Sequence, residues 1–204
     1  MKKQRTQYKG TQQRRRQIIE AALSCFNEMG FVDTTMEDIR VRSGASNGSI
    51  YHHFKSKDQL AAEVYLEGII DYQKGMLEEL SMQQQAREGI YAIVGYHLRW
   101  VSENNEWARY LFTMRHAGFM KETEKPIKEE NAKFVKGFGE FFRRHIDQGT
   151  LRSLPGELYI SLLLGPCQEF ARHWLTRPIC FDLNLVINEI ASAAWNALKT
   201  EKGE

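Results

Sequence analysis

The 204-residue sequence has little of what β-sheet proteins and membrane proteins need. It holds four prolines, all after residue 125, and no alternating apolar and polar run bounded by Asn-Gly or Asp-Gly turns. No apolar run approaches the roughly 20 residues that span a bilayer, and the basic N-terminus lacks the apolar stretch of an export segment. We therefore expect an all-α, cytoplasmic protein.

Cysteine motifs and catalytic motifs are also scarce. Cys25, Cys167 and Cys180 are far apart and lack the close pairing of a zinc or redox motif. The sequence has no Ser/His/Asp order, no phosphate-binding glycine loop and no metal-ligand spacing. We expect reduced thiols, no metal, no cofactor and no enzymatic activity, because the scattered histidines and glutamates form no motif.

Charge is nearly balanced overall but is unevenly distributed along the chain. The sequence carries 28 basic and 26 acidic residues, a net charge of +2. Residues 1–60 hold eleven Lys or Arg against six acids, a balance of +5, so the remainder holds 17 against 20, a balance of −3. A basic N-terminal part favours a polyanionic partner such as nucleic acid, although basic tails also serve only to keep proteins in solution.

Apolar residues follow a helical period through the first part of the chain. From residue 14 to 29 they recur on one helical face, and Gly30 then supplies a stop. Thr34 or Thr35 can cap a short second helix that ends at Gly44. The two helices after that each begin at a serine, Ser46 and Ser56.

Longer helical stretches make up the rest of the sequence. The period remains helical to the C-terminus, without internal repeats. We therefore predict a disordered basic arm over residues 1–13, a helix-turn-helix domain over 14–60 and a larger helical domain over 61–204.

Two short helices joined by a tight glycine-containing turn are typical of a helix-turn-helix that enters the major groove of DNA. Small residues at the start of the second helix let the backbone approach the duplex, and amide and hydroxyl groups can contact phosphates and base edges. The alternative is that these side chains only cap or pack, which is the role we expect for Ser56. The candidates for DNA contact are Ser46, Asn47, Gly48, Ser49, Tyr51 and His52.

Over about residues 14–62 the sequence resembles the TetR (tetracycline-repressor-like) family of bacterial regulators. The resemblance implies a three-helix DNA-binding head, joined by a long fourth helix to a helical body that binds a ligand and forms a dimer. Arg40 and Arg42 stand where the family more often has small residues, and they would add phosphate contacts. The resemblance rests on Ala21, Phe26, Gly30, Phe31, Thr34, Thr35, Ile39, Gly44, Ala45, Gly48, Ile50, Tyr51, Phe54, Lys57 and Leu60. The family's DNA contacts would fall on Thr35, Ser46, Asn47, Gly48, Ser49, Tyr51, His52 and Lys57.

The predicted body contains a stretch rich in aromatic residues and methionine that is a candidate for a ligand site. Such residues are more often simply core, and that alternative remains open. An apolar lining favours a small hydrophobic or aromatic effector. The residues that we expect to line the site are His97, Trp100, Trp107, Phe112, His116, Phe119 and Phe138.

Two apolar-striped stretches near the C-terminus can pair within the chain and with a second copy. The family resemblance implies a four-helix dimer interface. A dimer with two-fold symmetry also suits an operator with two half-sites. The residues predicted for this interface are Leu163, Cys167, Phe170, Trp174, Ile190 and Ala194.

The resemblance to the TetR family, together with these patterns, implies a homodimeric transcriptional repressor that a small-molecule effector releases from a palindromic operator. The alternative is a helical protein-interaction adaptor, or an activator, whose DNA-binding head is vestigial or needs a ligand. Strong salt dependence of DNA binding would separate the two.

Overall fold

The structure, a computed structural model, describes residues 2–115, 124–177 and 180–201, with side chains from Gly10 onward and from Lys125 in the second segment. Across these residues the chain forms helices and no strand, and one antiparallel bridge joins Leu151 to Lys199. The prediction of an all-α fold is therefore confirmed. The helices are α1 (Lys2–Asp33), α2 (Met36–Ser43), α3 (Asn47–His53), α4 (Lys57–Ser81), α5 (Ala86–Glu103), α6 (Asn105–Met114), α7 (Glu124–Asp147), α8 (Gly156–Thr176) and α9 (Leu183–Leu198).

Helix α1 begins at Lys2, so residues 2–13 are helical, whereas we expected a disordered arm over residues 1–13. That segment has one glycine and no proline, and its Lys, Arg and Gln residues are good helix formers, so nothing in it stops the helix from extending backwards. The backbone leaves the helical conformation at Gly30, where φ is 81° and ψ is 161°. This region is essentially restricted to glycine. The predicted stop at Gly30 is therefore present as a break within α1.

The chain divides into two compact units whose bounds differ from the predicted domains. The head unit contains the start of α4 and nearly all of α6, in addition to α1, α2 and α3. Tyr110 of α6 explains the difference, because it is fully buried in the core of the head unit and its hydroxyl donates to the Ala61 carbonyl over 2.8 Å. The head unit is Met1–Ile69 with Glu106–Ile127, and the body unit is Ile70–Asn105 with Lys128–Glu204.

The core of the head unit is shared by its first four helices. Ile18 of α1, Ile39 of α2, Ile50 of α3 and Leu60 of α4 are all fully buried in one cluster, and Phe54 joins them at the end of α3. Burial of each such side chain contributes about 1.5–3 kcal/mol relative to exposure. The second short helix therefore packs in the same core as Ile39 and the first helix, and this packing holds one side of α3 inward.

In the body unit, helices α5, α8 and α9 pack against one another. Their buried side chains include Leu98, Leu163 and Ile187. Helix α7 adds a run of buried phenylalanines whose neighbouring rings lie within 6 Å of each other: Phe134, Phe138, Phe141 and Phe142. The body unit therefore has an apolar core of its own.

Candidate nucleic-acid interface

Local hydrogen bonds fix both ends of α2. The Thr35 hydroxyl accepts from the Asp38 backbone N–H over 3.2 Å, and the Asp38 carboxylate accepts from the Thr35 N–H over 2.8 Å. The hydrogen bonds that Thr35 donates hold the pKa of Asp38 below its usual range. Gly44 ends the helix in the left-handed conformation, with φ at 61°. The capping box and the turn therefore lie where the sequence predicts them, with Thr35 as the cap.

Helix α3 begins with a cap of the same kind. The Ser46 hydroxyl accepts from the Ser49 backbone N–H over 3.2 Å. Ile50 is fully buried and Phe54 is 1% exposed, so the inward side of the helix is anchored at two points. The cap and these two buried side chains thus leave the other side of α3 facing solvent.

The exposed side of α3 carries side chains that the packing of the head unit does not need. Tyr51 is 49% exposed, and Asn47, Gly48 and His52 are also exposed. A β carbon added to Gly48 would meet nothing within 4 Å. An Asn amide can form a two-point hydrogen bond with adenine in the major groove, and Tyr and His side chains can donate to phosphates. This surface can therefore offer both base-edge and backbone contacts to a duplex.

Lys57 makes contacts that sequence reasoning missed. Its ammonium group donates to the carbonyls of Phe31, Val32 and Thr34, over 2.7, 3.1 and 2.7 Å. It also lies 4.6 Å from the centroid of the Phe31 ring. An ammonium group has three donors, so all of them are directed at the turn between α1 and α2. No local pattern indicates this role, because the carbonyls are more than twenty residues away along the chain.

Several arginines of the head unit also bind groups of the chain itself. Arg15 pairs with Glu63 over 2.6 Å and with Glu67 over 3.2 Å. The two positions that depart from the family pattern are paired as well, Arg40 with Glu37 and Arg42 with Glu28. Part of the hydrogen-bonding capacity of each of these guanidinium groups is therefore already used within the chain.

The described members of the predicted ligand site belong to both units of the chain. His97 and Trp100 both lie on α5 in the body unit, and Phe138 lies in the phenylalanine run of α7. Trp107 and Phe112 belong to α6 in the head unit. His116 and Phe119 lie outside the described residues.

His97 and Trp100 instead form an aromatic cluster with Tyr72. The Tyr72 hydroxyl lies 2.6 Å from Nδ1 of His97, and the Tyr72 and Trp100 rings are 5.1 Å apart and nearly perpendicular. The indole N–H of Trp100 donates to Asp71 over 3.2 Å. Burial lowers the pKa of His97 to about 4 and raises the pKa of Tyr72. Both side chains are therefore uncharged at neutral pH.

The predicted dimer-interface residues divide into two groups. Leu163, Cys167 and Ala194 are at most 3% exposed within a single chain, so these three predictions are corrected to core positions of the body unit. Phe170, Trp174 and Ile190 are half-buried. Helical periodicity marks apolar positions, but it does not tell which of them the chain's own helices will cover.

Other apolar residues of the same two helices remain open to solvent. Leu158 and Ile160 of α8 are 45% and 37% exposed, and Leu185 of α9 is 57% exposed. Exposed aliphatic side chains at these positions suit contact with a second chain better than the buried ones do.

The described part of the chain has neither a candidate metal site nor a candidate membrane-spanning helix. It holds no group of three or more His, Cys, Asp or Glu residues that could bind a metal ion. None of its helices is long and apolar enough to cross a membrane.

The fold and the exposed α3 surface define a helix-turn-helix DNA-binding protein, and comparisons with known proteins agree. Residues 18–64 match the bacterial regulatory proteins of the tetR family, and residues 65–200 match the tetracyclin repressor-like C-terminal domain. The chain therefore belongs to the TetR family of transcriptional regulators.

Curated relatives match the chain over different lengths. The HTH-type transcriptional repressor KstR2 of Mycolicibacterium smegmatis is 37% identical over 67 residues, which are 33% of this chain and 32% of that protein. The fatty acid metabolism regulator protein of Bacillus subtilis is 20% identical over 179 residues, which are 85% of this chain and 90% of that protein. The match to KstR2 thus spans about a third of its length.

Solved structures share the fold over nearly the whole chain. A TetR family transcription regulator from Marinobacter aquaeolei matches with a TM-score of 0.77 at 20% identity, over 96% of this chain and all of that one. The transcriptional regulator FadR from Bacillus subtilis, in complex with stearoyl-CoA, matches with a TM-score of 0.74 at 20% identity, over 92% of this chain and 98% of that one.

Proposed function

We propose that the protein is a homodimeric repressor that binds a palindromic operator through α3 and is released by a small-molecule effector. The exposed side of α3 is the observation that supports DNA binding. Asn47, Gly48, Tyr51 and His52 are open to solvent on a helix that is anchored from behind by Ile50. Nothing in the packing of the head unit requires these residues.

Selection of bound duplexes from a random DNA pool at about physiological salt tests this proposal, because non-specific binding is weakened there. We expect a palindrome whose half-sites are about one helical turn apart. If folded protein enriches no motif, the head does not act alone on DNA, and the adaptor or ligand-requiring alternative takes its place.

Single substitutions on α3 then test which residues contact the operator. We expect Asn47→Ala to weaken binding by about 1–3 kcal/mol and to relax the sequence preference at one position of each half-site. The matched control is Asn131→Ala on α7 of the body unit, where the exposed Asn131 accepts from Gln73. Equal losses for the two variants would contradict base contact by Asn47.

Dimerisation is proposed through exposed parts of α8 and α9. The apolar side chains of Leu158, Ile160 and Leu185 support this choice, together with the half-buried Phe170. Replacement of Leu185 by Glu places a charge in such an interface and should shift the protein towards monomer in analytical ultracentrifugation. A variant that remains as dimeric as the parent chain would exclude this part of α9.

The effector that we propose is an apolar or aromatic molecule bound by the body unit. The aromatic cluster of Tyr72, His97 and Trp100 supports this class, because burial keeps Tyr72 and His97 uncharged. The stearoyl-CoA complex of the Bacillus subtilis FadR structure supports it by analogy.

Stearoyl-CoA is accordingly the first compound to add to the operator complex, with free coenzyme A as the matched control that lacks the acyl chain. An effector must bind the DNA-incompatible state more tightly, and typical coupling energies of about 1–3 kcal/mol correspond to a roughly 5–150-fold loss of operator affinity. Unchanged operator affinity across a panel of acyl-CoA, fatty acids and steroids would exclude this class of effector.

A further inference from the structure

A polar cavity in the body unit has no role in the function proposed above. Its volume is about 700 Å³, within the range of small-molecule sites. It is formed by the start of α5, the end of α7 with the turn that follows, and the last turns of α9. All of these segments belong to the body unit, so the cavity does not depend on the head unit.

The charges in the wall of this cavity have one sign. Arg87 and Lys199 line it, and no Asp or Glu does. Within the described part of the chain neither cation makes an ion pair; the Arg87 guanidinium lies 5.4 Å from the centroid of the Tyr91 ring. A cleft lined by charges of one sign concentrates the opposite charge from solution. This wall therefore favours an anion.

Uncharged polar groups of the wall are also unused by the protein. The side chains of Gln84, Gln85, Asn196, Thr150 and Ser192 line the cavity, and none of them bonds to another group of the described residues. They supply both donors and acceptors, which suits a ligand with several polar groups.

The start of α5 contributes to the same wall. Gln85 is the N-cap of α5 but makes no capping hydrogen bond with its side chain, and Ala86 and Arg87 follow it in the wall. The first N–H groups of a helix lack intrahelical partners and carry partial positive charge. These N–H groups add to the positive potential of Arg87.

Two ring side chains complete the wall, and one has an unsatisfied buried nitrogen. His145 is 3% exposed, its Nδ1 lies 3.0 Å from the Gln148 amide oxygen, and its Nε2 has no hydrogen-bond partner in the described protein. Trp195 is half-buried and adds a flat apolar surface.

We propose that this cavity binds a small organic anion whose phosphate or carboxylate group is held by Arg87 and Lys199 and whose body lies against Trp195. This site goes beyond the repressor function, and it is tested without DNA. Failure here would leave the operator proposal untouched, and failure of operator selection would leave this site untouched.

Isothermal titration calorimetry of the full chain in phosphate-free, low-salt buffer tests the proposal with AMP, citrate, adenosine and inorganic phosphate as probes. We expect AMP or citrate to bind at concentrations up to about 1 mM. Binding of AMP alone identifies a phosphate site, and binding of citrate alone identifies a carboxylate site. Adenosine, which lacks only the phosphate of AMP, should bind at least about tenfold more weakly than AMP if AMP is the ligand.

Variants locate the binding. Arg87→Gln and Lys199→Gln should each weaken binding by about tenfold, and Arg87→Lys should retain much of it, since the positive charge remains. Arg99→Gln is the control, because Arg99 is an exposed arginine of the same helix that does not line the cavity. Circular dichroism confirms that each variant is folded.

Three results would overturn the proposal. The first is that neither AMP nor citrate binds in this range. The second is that Arg99→Gln weakens binding as much as Arg87→Gln does. The third is that inorganic phosphate binds as tightly as the organic anions, which would show that the wall does not recognise an organic body.

Discussion

The head and body units use their cationic side chains in different ways. In the head unit, Arg15, Arg40 and Arg42 pair with carboxylates of the chain, and the Lys57 ammonium group is bound by three carbonyls. In the cavity of the body unit, Arg87 and Lys199 face no carboxylate in the wall. The sequence has its basic excess in the first 60 residues, yet the cations named there already make contacts within the chain.

The net charge of a segment therefore does not predict which of its charged side chains are available to bind a partner. A cation beside a carboxylate gains its interaction within the chain, and a partner must compete with that interaction. The exposed side of α3 accordingly offers an amide, a phenol and an imidazole, from Asn47, Tyr51 and His52. Substitutions in the two units test whether this contrast holds.

The largest effect concerns a buried histidine of the body unit. The pKa of His97 in the folded chain is lowered to about 4 by burial, so the unfolded chain, with its ordinary value of 6.5, binds the proton more tightly. The stability that depends on neutral His97 is full above pH 6.5 and is lost as the pH falls through that value towards 4. The loss should reach on the order of 3 kcal/mol.

Denaturant unfolding at several pH values measures this loss. The variant His97→Gln should show a flatter dependence of stability on pH between pH 6.5 and 4 than the parent chain does. Equal slopes for His97→Gln and the parent would contradict the assignment.

Lys57→Met should destabilise the head unit by about 2–3 kcal/mol, because it removes the charged donor of three carbonyls while it keeps the length of the side chain. Urea unfolding is the measurement. Lys55→Met is the control, since Lys55 is exposed and its ammonium donates to one carbonyl, that of Tyr51.

The same variants test the phosphate contact that the family resemblance assigns to Lys57. Lys57→Met could instead leave stability unchanged and reduce the slope of operator affinity against salt concentration by about the amount of one phosphate contact. Lys57 would then contact DNA and would not stabilise the fold. That result would mean that Lys57, like Arg87 and Lys199 of the body unit, is available to bind a partner.

Gly48→Ala should weaken operator binding by roughly tenfold, or about 1.4 kcal/mol, because the added methyl group would stand between the helix and the duplex. The folded chain has space for it, since a β carbon at Gly48 meets nothing within 4 Å. Gly139→Ala on α7 also adds a methyl group in open space, but in the body unit. Both variants should unfold at a slightly higher temperature, as alanine favours helix over glycine.

A fluorescence-anisotropy titration of the operator compares the two glycine variants. Loss of affinity in both would mean that the methyl group acts through helix stability. No loss in either would remove Gly48 from the DNA contact surface.

The smallest effect should come from the Arg42–Glu28 ion pair of the head unit. The hydrogen bond from Arg42 lowers the pKa of Glu28, so its contribution to stability is present above the ordinary pKa and is lost as the pH falls below it. Arg42→Gln should change the melting temperature only slightly, because both side chains are exposed to solvent. A large drop would show that this pair is needed by the fold.

Much of the head unit could be predicted from the sequence because its determinants are local. The Thr35 capping box, the Gly44 turn and the Ser46 cap each depend on residues within a few positions of one another. The inward face of α3 follows from helical spacing as well. Such patterns require no knowledge of where distant segments lie.

The body unit could not be predicted to the same depth. Its helices are recognisable from the sequence. The apolar positions of α8, however, do not reveal that Leu163 and Cys167 are buried while Leu158 remains exposed. Trp107 and His97 were assigned to one candidate ligand site, but Trp107 belongs to the head unit and His97 to the body unit. Side-chain burial depends on which helices meet, and that is a long-range property of the chain.

The amino-acid sequence was enough to predict the helical fold, the caps of α2 and α3, the turn before α3 and the family to which the chain belongs. Only the tertiary structure decided which cations are already bound, as Lys57 is, and which line a cavity, as Arg87 and Lys199 do. The physical reason is that a cap forms between neighbours in the chain. An ion pair or a cavity wall instead joins residues that folding alone brings within a few ångströms.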